Sequence, residues 1–302
     1  MTPPLAAVWR EGRVLACRPE GSAYFSLAVE AGGEPSSPGQ FYLVGVGPEA
    51  PFPNDPLLLR PMSVLSDESG RLRFLFKPVG RGTRALAAMQ AGDRLRLLGP
   101  LGRPFTEQAF PPPLLIGGGA GVPPLHFLSR RLSRAGIEHR FVLGFNSAPE
   151  IPRGLLEELA VTPELCTLDG SAGFGGNPVE YLAREPQRPP ARIQACGPPA
   201  LLNALRAGQR AEDELELSLE EHMACGVGVC RGCVVALRDG EDWRYGTVCR
   251  DGPVFDVREL MAEAGSALSD MAPESCDCET GEAPISPPVS GRPDGDRGGS
   301  PR

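Results

Sequence analysis

Over its first hundred or so residues the chain alternates short apolar runs with Gly- and Pro-rich breaks. Phe25 to Val29, Phe41 to Val46, Met62 to Leu65, Leu72 to Phe76 and Arg94 to Leu98 are runs of strand length. Strands repeated at such spacing predict a small antiparallel barrel. One helix is expected to interrupt it, from Thr83 to about Met89, with Thr83 as cap and with Leu86 and Met89 facing inward. From Pro111 the pattern changes. Leu114-Leu115-Ile116 is a continuous apolar strand, Gly117 to Gly121 follow, and Leu125, Phe127, Leu128 and Leu132 then mark an amphipathic helix. Strand is expected next over Glu138 to Phe145, helix over Leu155 to Leu159, strand over Cys166 to Leu168, helix over Pro178 to Leu182, strand over Arg192 to Ala195 and helix over Pro199 to Leu205. Strands alternating with helices predict a parallel, doubly wound sheet. The fold class is therefore α+β multidomain: a β-barrel over 1–108, an α/β domain over 109–214, a small cysteine module over 215–262 and a tail over 263–302. That tail, rich in Pro, Gly, Ser, Asp and Glu, has too little apolar surface to offset chain ordering and is expected to be disordered, its Cys276 and Cys278 an incidental pair.

Composition narrows the functions. A length of 302 residues allows two or three domains, each with a core. A net charge of −8 and a pI near 5.1 argue against a nucleic acid partner, which needs a basic face. No run of about 18 apolar residues occurs, so no membrane span is expected. Met-Thr-Pro-Pro-Leu does not read as a signal peptide. The nine cysteines are too clustered, in too long a chain, for a secreted disulfide framework, so a reducing cytoplasm is expected. Lys77 is the only lysine; arginine supplies every other basic residue.

Cys225, Cys230, Cys233 and Cys249 carry the most specific chemistry. They read C-x₄-C-x₂-C with a fourth cysteine after a strand-rich stretch, Val234 to Val248. By that spacing one tight loop wraps a [2Fe–2S] cluster and a distant strand end adds the last thiolate. Gly226, Gly228 and Gly232 permit positive φ and leave backbone N–H groups free to point at the sulfurs. Zinc is the rival occupant, although zinc sites usually present two separated C-x₂-C knuckles and here one pair has that spacing. His126, His139 and His222 share no metal spacing, and His222 reads as a surface residue near the cysteines.

Two further regions point to phosphate-bearing ligands. Arg60-Pro61-Met62-Ser63 opens a strand where an arginine and a hydroxyl can hold a diphosphate beside a flat ring system. Lys77-Pro78-Val79-Gly80-Arg81-Gly82-Thr83 leads into the barrel helix, whose N-terminus offers an anion cradle. Gly117, Gly118, Gly119 and Gly121 follow a buried strand and open a helix, the context of a phosphate-binding turn, without a strict G-x-G-x-x-G. Cys196-Gly197-Pro198 and Asp169-Gly170-Ser171 end later strands, so three strand ends are expected to converge on one dinucleotide crevice.

In this order the motifs resemble the ferredoxin–NADP reductase superfamily over roughly residues 1–262. Within it they resemble most the electron transfer subunits of NAD-dependent dihydroorotate dehydrogenase, through Met-Ala-Cys-Gly-Val-Gly-Val-Cys-Arg-Gly-Cys and Cys249-Arg250-Asp251-Gly252-Pro253-Val254-Phe255. Met62 stands where the wider superfamily usually has Tyr. The resemblance implies FAD on the barrel, with Arg60, Pro61, Met62, Ser63, Gly82 and Thr83 along the diphosphate and ring and Phe76, Lys77 and Pro78 flanking the adenosine half. It implies NAD(H) on Gly117 to Gly121, with Asp169 and Cys196-Gly197-Pro198 at the same site. It further implies a partner, an FMN-containing dihydroorotate dehydrogenase catalytic subunit in pyrimidine biosynthesis, in a heterotetramer of two plus two. The chain has no second barrel of about 250 residues to house that reaction. An NAD(P)H:ferredoxin oxidoreductase or hydrogenase diaphorase subunit shares the same modules. A non-enzymatic nucleotide-binding protein with structural zinc is a third reading. NADH is expected over NADPH, because the stretch after Phe145 offers Asn146, Ser147 and Glu150 and no basic residue before Arg153.

Overall fold

The computed structural model describes residues 8–47 and 57–261. The expectations for the tail and for Cys276 and Cys278 lie outside the described residues. Strands β1 (Val8–Glu20), β2 (Tyr24–Glu30), β3 (Phe41–Val46), β4 (Arg60–Glu68), β5 (Arg71–Phe76) and β6 (Arg94–Leu101) close a barrel in the order β1-β2-β5-β4-β3-β6. Neighbouring strands are antiparallel throughout. Inward positions such as Val14, Leu27, Val29, Val44, Val64, Phe74, Leu95 and Leu97 fill it. β1 is not among the apolar runs read above, because only Gly12 and Val14 of its thirteen residues are buried. It fits by close approach: a Cβ at Gly12 would stand 2.5 Å from a methyl of Val29.

Helix α1 runs Arg81–Ala87, with Leu86 buried and Met89 packed at the core's edge. Thr83 is not its cap, as expected, but its third residue. Its Oγ1 accepts from the Gly80 N–H at 3.0 Å and donates to the Gly80 carbonyl at 3.1 Å, so it fastens the first turn from inside.

The second layer is a seven-stranded sheet ordered β10-β9-β8-β7-β11-β12-β15. Its strands are β7 (Pro113–Gly118), β8 (Arg140–Phe145), β9 (Glu164–Thr167), β10 (Phe174–Gly175), β11 (Arg192–Cys196), β12 (Glu214–Ser218) and β15 (Val254–Asp256). All pairs are parallel except β12 with β15. Helices α2 (Val122–Arg134), α4 (Pro178–Leu182) and α5 (Pro199–Ala207) match expectation, whereas the helix expected over 155–159 is one turn, α3 (Arg153–Leu156). Pro152 precedes it, and only Leu155 and Leu156 have core to bury against. The strand expected from Glu138 begins at Arg140, and the one expected through Leu168 ends at Thr167, leaving Leu168 exposed.

A hairpin of β13 (Val234–Asp239) and β14 (Asp242–Thr247) and a one-turn helix α6 (Val248–Asp251) carry the rest. β12 lies across the boundary expected at 214/215, and β15, from inside the cysteine module, supplies the edge of the sheet. Barrel and sheet are fastened to each other. Arg73 of β5 holds Glu158 with two bonds of 2.6 and 2.9 Å, and buried His126 of α2 stands 3.0 Å from the Leu155 carbonyl and 3.4 Å from that of Leu65 in β4.

Candidate cofactor sites and the cysteine loop

On the barrel, Arg60 starts β4 and Gly82 lies in the first turn of α1. A Cβ at Gly82 would stand 2.5 Å from Arg60 Nε, so the two motifs form one surface and the guanidinium lies on the helix N-terminus. Arg60 Nη1 donates to the Leu58 carbonyl at 2.7 Å, which fixes its direction. Along β4 the pleat exposes Pro61, buries Met62 with the core and leaves Ser63 half-buried. The Met62 side chain therefore belongs to the barrel interior. Phe76 ends β5 and stacks on Phe25 with centroids 6.4 Å apart. Lys77 and Pro78 follow, both half-buried.

In the sheet, Gly117 and Gly118 end β7, Gly119 to Gly121 make one 3-10 turn, and α2 begins at once. Gly119 has φ +53°, a left-handed conformation natural to glycine. At Gly121 a Cβ would overlap the Cys196 carbonyl, so only glycine lets the turn lie on the end of β11. At Gly197, φ +158°, a Cβ would stand 3.0 Å from the Gly118 nitrogen. These two strand ends flank the point where strand order reverses, since β7 pairs β8 on one side and β11 on the other. Ligands of open α/β sheets bind in such a crevice. Cys196 is fully buried, and burial pushes its thiol far up, with Glu220 adding to the effect. It serves as a small wall residue and not as a thiolate.

Asp169-Gly170-Ser171 follows β9, which runs parallel to β8 and β7 and ends at the same edge of the sheet, two strands from the glycine turn. It braces the loop leaving β8. The Asp169 N–H donates to the Asn146 carbonyl at 3.2 Å, and Ser171 Oγ accepts from the Ala148 N–H at 2.8 Å. In that loop Asn146 Nδ2 donates to Glu150 Oε1 at 3.0 Å, and Lys77 Nζ reaches Glu150 Oε2 at 3.2 Å from the barrel. Burial opposes ionisation of Glu150, but the bonds from Asn146 and Lys77 outweigh it and hold the carboxyl below its ordinary value.

One residue at this junction escaped sequence reasoning. Tyr24 of β2 is 1% exposed, and its ring lies 4.9 Å beneath Lys77 Nζ. Its buried hydroxyl has no hydrogen-bond partner and lies 3.7 Å from where a Gly119 Cβ would be. Nothing in the chain around Tyr24 signals this, because its neighbours at the junction come from other segments.

The cysteine loop is seated on the barrel. A Cβ at Gly226 would meet Leu43 at 2.8 Å and Leu101 at 3.0 Å, and Leu43 pairs with Pro61 of the Arg60 motif. Positive φ occurs at Gly226 (69°), Gly228 (79°) and Arg231 (57°). Backbone N–H groups do turn to the sulfurs: Gly228 to Cys249 at 3.1 Å, Cys230 to Cys225 at 3.4 Å and Gly232 to Cys230 at 3.4 Å. Cys233 and Cys249 are each 2% exposed, whereas Cys230 is exposed.

Burial resists ionisation of Cys225, but N–H groups of Cys230, Val227 and Val229 and the Cys230 thiol overcome it and bring it to about 7. Burial, with Cys233 beside it, pushes Cys249 to about 12. Backbone amide donors on the sulfurs of Cys225, Cys230 and Cys249 suit a charged iron–sulfur cluster.

Comparison with known proteins agrees. The family model for the iron-sulfur cluster binding domain of dihydroorotate dehydrogenase B matches residues 220–261. The electron transfer subunit of dihydroorotate dehydrogenase B (NAD(+)) from Listeria monocytogenes serovar 1/2a is 38% identical over 231 residues, 74% of this chain and 87% of that protein. The subunit of the same name from Geobacillus kaustophilus is 38% identical over 235 residues, 76% of this chain and 88% of that one. Among solved structures, an NADH-dependent reduced ferredoxin-NADP oxidoreductase superposes with a TM-score of 0.71 at 23% identity, covering 83% of this chain and 89% of that one. A ferredoxin NADP+ reductase from Neisseria gonorrhoeae with bound FAD and NADP gives 0.54 at 19%, covering 70% and 99%. At those identities the structures speak for the fold.

Proposed function

We propose a function on the premise that this chain belongs to the electron transfer subunits of NAD(+)-dependent dihydroorotate dehydrogenase B. It is an oxidoreductase subunit that moves electrons between NADH, FAD, an iron–sulfur cluster and a catalytic partner in pyrimidine biosynthesis. FAD accepts two electrons together and can release them singly, as a one-electron cluster requires. Arg60, Ser63, Gly82 and Thr83 hold the flavin diphosphate, and the stretch from Phe76 to Pro78 flanks its adenosine. The turn from Gly117 to Gly121 carries the nicotinamide nucleotide, and Cys196-Gly197-Pro198 walls the crevice where hydride passes. Asp169 stands at the same sheet edge and braces the loop after β8.

Cys225, Cys230, Cys233 and Cys249 hold one [2Fe–2S] cluster. The observation that carries the reading is the seating of Gly226 on Leu43, one strand from Pro61, which brings the cysteine loop beside the flavin motif. The partner we infer is an FMN-containing dihydroorotate dehydrogenase chain in a two-plus-two assembly. Cytoplasmic residence is part of the proposal; no helix among the described residues is long and apolar enough to cross a membrane. Anaerobic purification with the partner should yield two irons and one FAD per chain, with dye reduction by NADH. Stoichiometric zinc without iron would refute the cluster.

A further inference from the structure

We propose that Glu150 and Lys77 form the gate that decides which nicotinamide dinucleotide the chain accepts. Glu150 receives the bare ribose hydroxyl and keeps Lys77 neutralised, and without its charge Lys77 becomes a receptor for a 2′-phosphate. The inference rests on the nucleotide site proposed above and names its specificity-determining pair.

The loop after β8 is where a nucleotide on the β7 turn presents its adenosine ribose in sheets of this kind. A 2′-hydroxyl there needs an acceptor, whereas a 2′-phosphate needs a cation. Glu150 is the carboxylate of that loop. Asn146 aligns it from its own segment at 3.0 Å, and Lys77 reaches it at 3.2 Å from the barrel, 73 positions earlier. The two side chains are 29% and 19% exposed, so their attraction is less screened than that of a surface pair.

Lys77 is also held from below by the Tyr24 ring at 4.9 Å, and the Tyr24 hydroxyl lies against Gly119. The ammonium thus hangs between the glycine turn and the ribose loop, where the phosphates of a dinucleotide come closest to the barrel. While Glu150 is charged, Lys77 is engaged and a 2′-phosphate meets a carboxylate. Once the carboxylate is neutral, the same ammonium, on a long flexible stem, is available to the phosphate. Arg153, the nearest base in sequence, instead lines a recess with Ile151, Leu156, Thr162 and Pro163.

The test is equilibrium binding of NADH and NADPH to the FAD- and cluster-loaded protein, with flavin content read from its visible absorbance in each variant. Wild type should bind NADH at least about ten-fold more tightly than NADPH, as one charge-assisted hydrogen bond supplies. Glu150→Gln should weaken NADH and tighten NADPH, each by about ten-fold. Adding Lys77→Met should abolish the NADPH gain, and adding Lys77→Arg should keep it even if flavin content falls with the methionine. An unchanged NADPH affinity in Glu150→Gln would overturn the gate, as would a gain that survives Lys77→Met or that vanishes with Arg153→Ala instead. Wild type binding neither nucleotide would refute the nucleotide site itself, and the gate with it.

Discussion

The cysteine loop draws three of its four cysteines from one short segment, 225–233, and the fourth from the far end of a hairpin. The nucleotide junction draws Tyr24, Lys77, Gly119 and Glu150 from four segments on two layers of the fold. Their electrostatics differ in kind. At the loop the donors are backbone amides of Gly228, Cys230 and Gly232, which a side-chain substitution leaves in place. At the junction a single ion pair sets the charge, and one substitution reverses its meaning. A site that must hold a charged inorganic group through every turnover gains from donors that cannot rotate away. A site that must discriminate between two nearly identical nucleotides gains from side chains whose charges can be set independently.

The widest separation between the two regions should come from the cysteines. Changing Cys225, Cys230, Cys233 or Cys249 to Ser should lose or perturb the cluster while FAD remains bound. Iron analysis and the flavin spectrum of each variant check this, and parallel loss of FAD would show that the barrel depends on the loop. A change at Asp213 should ignore the division, because this residue anchors the start of β12, the strand that leads into the cysteine module. Its side chain is fully buried and accepts from Arg188, from Arg210 and from the Ala191 N–H. Burial alone would raise its carboxyl, but those bonds win and lower it to about 2. A carboxyl depressed in the folded state stabilises above its unfolded value, so that contribution should be complete above about pH 4 and be lost as pH falls toward 2. Asp213→Asn should cost about 3–5 kcal/mol at pH 7 and flatten this acid limb, as denaturant unfolding across pH would report. The smallest effect should be Tyr24→Phe. Removing an unpaired buried hydroxyl should raise stability by about 1 kcal/mol, read as a gain of about 2–4 °C in Tm. A fall in Tm would mean that the hydroxyl has a partner in solution.

What could be read along the chain depended on how locally each feature is encoded. β3, β5 and β6 were legible because apolar residues at strand spacing need only their own segment to declare themselves. The glycine turn and its helix were legible for the same reason, and so was the loop, since ligand spacing is a property of a few consecutive residues. β1 was not legible, because only two of its residues are buried and Gly12 makes sense only against Val29. Arg231 is left-handed, a conformation that its residue type does not announce.

By itself, the sequence determined the two architectures and the spacing of the four cysteines, and the fold then brought Arg60 against Gly82. Strand order was beyond the reach of sequence. Which strand lies beside which decided that Asp169 braces the loop after β8, that β15 returns to the sheet, and that Lys77 of the barrel meets Glu150 of the sheet. The physical reason is range. Hydrophobic period and ligand spacing act over a few residues, whereas an ion pair 73 residues apart exists only after two layers have packed and brought their edges together.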